Sequence, residues 1–273
     1  MLGNCLENVR KKTPLVHSIT NYVTVNDVAN SLLACGGSPI MSDEPEDVAD
    51  ITSICGGLNI NIGTLNQRSI DGMFVAGIKA NELGHIVLLD PVGAGASKLR
   101  TDTAIKLMNT VRFDIIRGNI SEIKTLALGY GTTKGVDADS ADTVTEDNLE
   151  EMIDFAKNFS KKTKAIIAIT GAIDLVADDE KCYVIHNGIP EMSKITGTGC
   201  QLSGIATAYA VANPEDKVKA VAAAVCVMGL AGEIGYANLK QGEGNSTLRN
   251  RIIDAIYNID AEVLNKGAKY EIR

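Results

Sequence analysis

An α/β fold, with a mostly parallel sheet between two layers of helices, is what this sequence predicts, and three observations predict it. Short β-rich runs alternate with stretches whose apolar residues recur at helical spacing. Each run ends in polar or glycine-rich residues, and on an open α/β sheet such strand ends are where ligands gather. No long linker, internal repeat or low-complexity tract divides the 273 residues, so 1–273 is read as one domain, large enough for a substantial core.

The elements follow in order. The amino-terminal run His17-Ser18-Ile19-Thr20-Asn21 mixes β-branched with hydrogen-bonding residues, and Asn26, Val28, Asn30 and Leu33 then lead into a helix. The candidate strand Ser38–Met41 ends in Ser42-Asp43, and the strand 58–62 in Gly63-Thr64. Strand 86–89 runs into Asp90-Pro91, strand 114–116 into Arg117-Gly118-Asn119, and strand 165–169 into Thr170-Gly171. Helical patterns at 71–83 and 101–109 lie between them. Segment 174–186 breaks the alternation. There Leu175-Val176-Ala177 and Tyr183-Val184-Ile185 flank the acidic turn Asp178-Asp179-Glu180-Lys181, the pattern of a β-hairpin. The chain is then helical from Cys200 to about Asn265, with breaks at Pro214 and around Gly242-Glu243-Gly244. The apolar run 220–232, bounded by Lys219 and Glu233, is too short to span a bilayer and predicts a buried helix.

Composition narrows the class. Aromatic residues make up only 4% and Trp is absent, so the core must be built from Ile, Val, Leu and Ala. The net charge of −8, without any basic run beyond pairs such as Lys11-Lys12, leaves no electrostatic footprint for nucleic acid. A phosphorylated ligand is still compatible, because a metal ion and local dipoles offset acidity. The six cysteines show no C-x-x-C pairing and the first ten residues are polar, so reduced thiols and a cytoplasmic location are expected.

The most informative stretch is Gly197-Thr198-Gly199-Cys200, followed by Leu202, Ile205, Ala206 and Tyr209 at helical spacing. A glycine loop feeding a helix amino terminus offers free N–H groups and partial positive charge to a phosphate. A plain tight turn is the alternative, and Cys200 is either a reactive thiol or a small packing residue. Asn119 and Glu122, three residues apart, share a helix face and suit either a hydrated Mg²⁺ or a capping box. Asp90 suits a metal shell, a substrate contact or a turn carboxylate. Arg117 suits a phosphate or a surface ion pair, and Thr170 a nucleotide contact or a simple turn. Met41 lines an apolar pocket or fills core space, while His17 is expected to be structural.

Together, His17-Ser-Ile-Thr-Asn21, Asp90-Pro-Val-Gly-Ala94, Arg117-Gly-Asn119 with Glu122, and Gly197-Thr-Gly-Cys200 resemble the hydroxyethylthiazole kinases of the ribokinase-like fold, over roughly 10–265. The resemblance implies ATP-dependent, Mg²⁺-assisted phosphorylation of the primary hydroxyl of 4-methyl-5-(2-hydroxyethyl)thiazole, in thiamine salvage. It implies ATP contacts at Arg117, Thr170, Asn119 and Gly199, thiazole contacts at Met41 and Gly197, and pocket positions at Asn21 and Gly63. It further implies Glu122 and Asp90 near the metal, and a homotrimer with sites at subunit interfaces. Cys200 stands where sugar kinases of this fold carry Asp as the catalytic base. An unperturbed thiol titrates near ~8.5, and a helix amino terminus can lower that.

Overall fold

The computed structural model describes residues 1–129 and 143–273. In chain order the first half comprises α1 (Gly3–Lys12), β1 (Leu15–Ile19), α2 (Val25–Cys35), β2 (Ser38–Met41), α3 (Val48–Ile54), β3 (Gly57–Asn61) and α4 (Gln67–Leu83). Then come β4 (Ile86–Asp90), α5 (Lys98–Thr110), β5 (Ile115–Gly118), α6 (Ile120–Leu128), α7 (Leu149–Thr163), β6 (Ile166–Ile169), β7 (Asp174–Ala177) and β8 (Cys182–Ile185). Helices α8 (Thr198–Ala212), α9 (Lys217–Ala237), α10 (Asn245–Asn258) and α11 (Ala261–Gly267) precede the last strand, β9 (Tyr270–Ile272).

Among the described residues, nine strands form one sheet in the order β2-β1-β3-β4-β5-β6-β7-β8-β9. Strands β1 to β6 pair in parallel, and β7, β8 and β9 continue the sheet antiparallel. From β1 the chain steps outward to β2 and returns to β3 on the other side of β1. That reversal opens a crevice at the carboxyl ends of β1 and β3, the place where open α/β sheets bind ligands.

The pleat sorts strand side chains into two cores, since successive residues point to opposite faces. Leu58, Ile60, Ile62, Val87, Leu89, Ile116, Ile167 and Ile169 pack with residues of α4, α5, α6 and α7. Val16, Leu88, Ile115, Ala168, Val176 and Ile185 pack with residues of α1, α2, α8, α9 and α10. Alternation therefore turns Asn59 and Asn61 toward the α8 side, and both are fully buried there.

The predicted strands appear within one or two residues of their expected bounds, and the hairpin has the register Leu175↔Val184. Its turn is held by Asp178, whose Oδ1 accepts the N–H groups of Glu180 and Lys181. The apolar run lies inside α9. Among the described residues, Pro214–Ala237 alone is long and apolar enough to cross a membrane, but most of it is buried in this fold. Three differences from expectation matter. Strand β1, absent from the candidate strands, lies second from one edge of the sheet and seats His17 as the structural residue expected, with Nε2 donating to the Ser42 carbonyl and Nδ1 accepting from the Thr52 hydroxyl. Strand β5 extends through Arg117 and Gly118, because β6 continues the ladder beside them with Arg117↔Ala168 and Gly118↔Ile169. The short strand β9, which carries little alternating signal, closes the far edge.

Candidate active site

Parallel register builds the first part of the site. Asn61 and Asp90 are the last residues of β3 and β4 and lie directly opposite each other. Asn61 Nδ2 donates to Asp90 Oδ2 at 2.8 Å, and the Ser203 hydroxyl donates to the same oxygen at 2.7 Å. Asp90 is 0% exposed, and its Oδ1 has no partner among the described residues. Burial pushes the Asp90 carboxyl up from its ordinary range, opposed by Arg117, Ser203 and Asn61.

Cys200 and Ser203 are three residues apart on α8, so they share the face that meets this strand pair. Asn61 Nδ2 also donates to Cys200 Sγ, at 3.3 Å. Burial first, and then the Asp90 charge, push the thiol up to about 11, against the Thr24 hydroxyl, Arg117 and Asn61. The lowering that a helix terminus can give a thiol does not prevail here: removal from water outweighs the dipole, and Cys200 is a neutral thiol at pH 7.

Helix α8 begins at the predicted glycine loop. Gly197 has φ +89°, and a Cβ there would stand 2.4 Å from Thr24 Cγ2, so only glycine fits this turn into the helix. No side chain caps the amino terminus, and Thr198 and Gly199 line an adjoining cavity of about 580 Å³. Arg117 forms one wall of it. Its Nη2 donates to Thr170 Oγ1 at 2.5 Å, its Nη1 lies 3.6 Å from Asp90 Oδ2, and its buried Nε has no partner among the described residues. A Cβ on Gly199 would stand 2.6 Å from Arg117 Nη1, so the guanidinium lies flat against the loop. Ile189, Met192, Leu202, Val225 and Met228 line the cavity's apolar end.

Asn119 and Glu122 form the capping box in full. Asn119 Oδ1 accepts from the Glu122 N–H at 2.8 Å, and Glu122 Oε2 accepts from the Asn119 N–H at 2.8 Å. Glu122 Oε1 accepts in addition from the Gly93 N–H at 2.8 Å, which ties α6 to the loop after Asp90. Burial and the Asp90 charge push Glu122 up to about 7. Among the described residues no cluster of three His, Cys, Asp or Glu side chains could hold a metal.

The remaining predicted positions lie along the same carboxyl edge. Gly63 N donates to Asn61 Oδ1 at 2.9 Å, and the space a Gly63 side chain would need is occupied by Asn21 Nδ2 at 2.5 Å. Asn21 Oδ1 accepts from the Val23 N–H. Met41 ends the edge strand β2 opposite Ser18 of β1, half-buried against the α8-side core. The structure thus joins Asn21, Gly63, Asp90, Arg117, Thr170 and Cys200 through shared neighbours, whereas Met41 has no recorded bond to them. Sequence reasoning missed Asn61, Ser203, Thr24 and Asp174. The signal for Asn61 was a polar residue at alternating positions of an otherwise apolar buried strand, Asn59-Ile60-Asn61-Ile62. Asp174 lines the cavity with Oδ1 accepting from the Gly171 N–H at 2.8 Å, and burial pushes it up to about 7.

Residues 6–262 match the model of the hydroxyethylthiazole kinase family. The chain is 60% identical over 271 residues to a hydroxyethylthiazole kinase of Clostridium acetobutylicum, covering 99% of both chains. It is 41% identical over 268 residues to one of Methanocella arvoryzae, covering 98% of this chain and 97% of the other. Among solved structures, a hydroxyethylthiazole kinase from Pyrococcus horikoshii superposes with a TM-score of 0.88 at 31% identity, covering 100% and 98%. A Staphylococcus aureus pyridoxal kinase in complex with ADP superposes with a TM-score of 0.63 at 15% identity, covering 95% and 98%, a likeness of fold alone.

Proposed function

This chain belongs to the hydroxyethylthiazole kinase family, and we propose that it transfers the terminal phosphoryl group of ATP to the primary hydroxyl of 4-methyl-5-(2-hydroxyethyl)thiazole. The observation that carries the reading is the uncapped amino terminus of α8, with Gly199 against Arg117, at the mouth of the cavity. Phosphoryl transfer asks a protein mainly for positioning and charge stabilisation. The α8 terminus supplies amide dipoles to the phosphates, and glycine lets the backbone approach them. Arg117 supplies a cation preset by Thr170. The adenine face goes to the apolar end of the cavity. The thiazole goes to the other side of Cys200, between Asn21, Gly63, Gly197 and Met41.

Cys200 orients the acceptor hydroxyl and contributes modestly, because a thiol pushed up to about 11 holds its proton at pH 7. The donor set fits Mg²⁺, which usually takes one or two carboxylates together with phosphate and water. Asp90 has a buried oxygen without a partner, and the neighbouring Glu122 is raised in part by the Asp90 charge. These two residues would hold the ion, and when bound it neutralises charge on the nucleotide phosphates. We further assign a homotrimer with sites at subunit interfaces. Tyr22 and Val23 support this, being 72% and 60% exposed beside Asn21. A cytoplasmic location accords with six free, buried thiols.

The test is direct. Purified protein incubated with ATP, Mg²⁺ and the thiazole alcohol is expected to yield the phosphate ester, detected by mass. Bound thiazole with no ester would replace this reading with that of a binding module.

A further inference from the structure

Asn61 occupies a position that none of the functional assignments above uses. One side-chain amide makes three bonds, each to a different part of the site. Its Nδ2 donates to Asp90 Oδ2 at 2.8 Å and to Cys200 Sγ at 3.3 Å, and its Oδ1 accepts from the Gly63 N–H at 2.9 Å. The Gly63 bond fixes which way the amide faces. A flipped amide would set its NH₂ against a backbone N–H and its oxygen against a carboxylate, so only this orientation is satisfied. Asn61 is fully buried at the last position of β3, and register with β4 holds its backbone opposite Asp90.

We propose that Asn61 is the positioning residue of the acceptor half of the site, its amide spacing the Cys200 thiol from the Asp90 carboxylate so that the substrate hydroxyl meets both in one geometry. The proposal rests on the alcohol-kinase reading above. Its physical content lies in where protons point. Cys200 Sγ accepts from Asn61, so the thiol's own proton is directed away from that amide. Asp90 Oδ2 accepts from Asn61 and Ser203, which leaves the two lone-pair sites of Oδ1 to the ion proposed above and to the hydroxyl. One donor group and one acceptor group are thereby presented at fixed spacing, which is what a hydroxyl, itself both donor and acceptor, requires. Asn61 does not line the open cavity and reaches its Arg117 wall only through Asp90, so its direct bonds lie on the acceptor side.

The test compares Asn61→Ala, Asn61→Ser and Asn61→Asp with the wild type in steady-state kinetics, using ATP, Mg²⁺ and the thiazole alcohol. ATP consumed per ester formed is counted alongside. In Asn61→Ala, kcat/KM for the alcohol is expected to fall about 10²-fold, the scale of a lost alignment, while KM for ATP stays within about twofold. Water is expected to compete with the misplaced hydroxyl, so more ATP is hydrolysed per ester made. Asn61→Ser, which retains a donor, is expected to recover about tenfold of the loss. Asn61→Asp, isosteric but without the amide donors, recovers none. Wild-type kcat/KM and coupling in Asn61→Ala would overturn the proposal. So would equal losses toward ATP and alcohol, which mark a merely structural residue. If Asn61→Ala fails to fold, Asn61→Ser with an unchanged melting temperature carries the same readouts. A wild type that makes no ester at all would instead remove the kinase reading, and this inference with it.

Discussion

At the proposed acceptor end, Asn61, Asp90, Ser203 and Cys200 form one buried, hydrogen-bonded cluster, whereas at the proposed nucleotide end about 580 Å³ stays open between Arg117, the α8 terminus and α9. The closed end takes its geometry from strand register, Asn61 opposite Asp90, and from a three-residue step on α8. The open end takes its chemistry from backbone, an uncapped helix terminus and the glycines that let it be approached. The difference has a physical reason. A nucleotide triphosphate brings many contacts, so dipoles and one cation suffice to seat it. A small primary alcohol brings few, and its single reacting hydroxyl must be placed by groups that are already fixed.

Arg117 is where the two ends meet, so removing it should damage both. Its guanidinium touches Thr170, lies beside Asp90 and packs on Gly199. Arg117→Ala is expected to lower kcat by about 10²–10³-fold, the range for deleting one preorganised charge-stabilising group. It should also raise KM for ATP and for the alcohol together. Turnover measured over a matrix of both substrates checks this. A variant impaired toward ATP only would separate the two ends that the structure joins.

Cys200 sharpens the comparison from the acceptor side. A neutral thiol pushed up to about 11 is a poor base at pH 7, so Cys200→Ala is expected to lose no more than about 10²-fold in kcat, the lower bound for a positioned general base. Cys200→Asp should remain active. KM for ATP should stay put in both variants. A collapse of Cys200→Ala beyond about 10⁴-fold would make the thiol an obligatory catalyst.

The two ends were unequally legible in the sequence. The glycine loop, Arg117 and Thr170 stand at strand ends and helix starts, where local pattern marks them, and the capping box of Asn119 and Glu122 is written in three-residue spacing. Asn61, Ser203 and Thr24 become partners only when β3, β4, α8 and the start of α2 pack together, and no local spacing encodes that. The thiol shows the same limit. A helix terminus is visible in sequence, but the burial that outweighs it is a property of packing. Strand β1 was readable as β-branched, yet its place between β2 and β3 follows from the chain's reversal after β2.

The smallest effect expected isolates the open end. Asp174 lines the cavity, its Oδ1 accepts from the Gly171 N–H, and burial pushes its carboxyl up to about 7 from an ordinary value near 3.8. Its folded form therefore holds a proton that the unfolded chain releases. The stability this contributes is fully present below pH 3.8 and is lost as pH rises through about 7. Asp174→Asn keeps the acceptor for Gly171 and removes the titration. The melting temperature of the wild type minus that of the variant should accordingly fall between pH 5 and pH 8 in the nucleotide-free protein, by about 2–4 °C for each kcal/mol of linkage. The matching comparison at the closed end is Ser203→Ala, which leaves Asp90 ionisable and should show no such pH-dependent convergence. A wild-type curve parallel to that of Asp174→Asn would mean that Asp174, half-buried at the cavity, is solvated like a surface carboxylate.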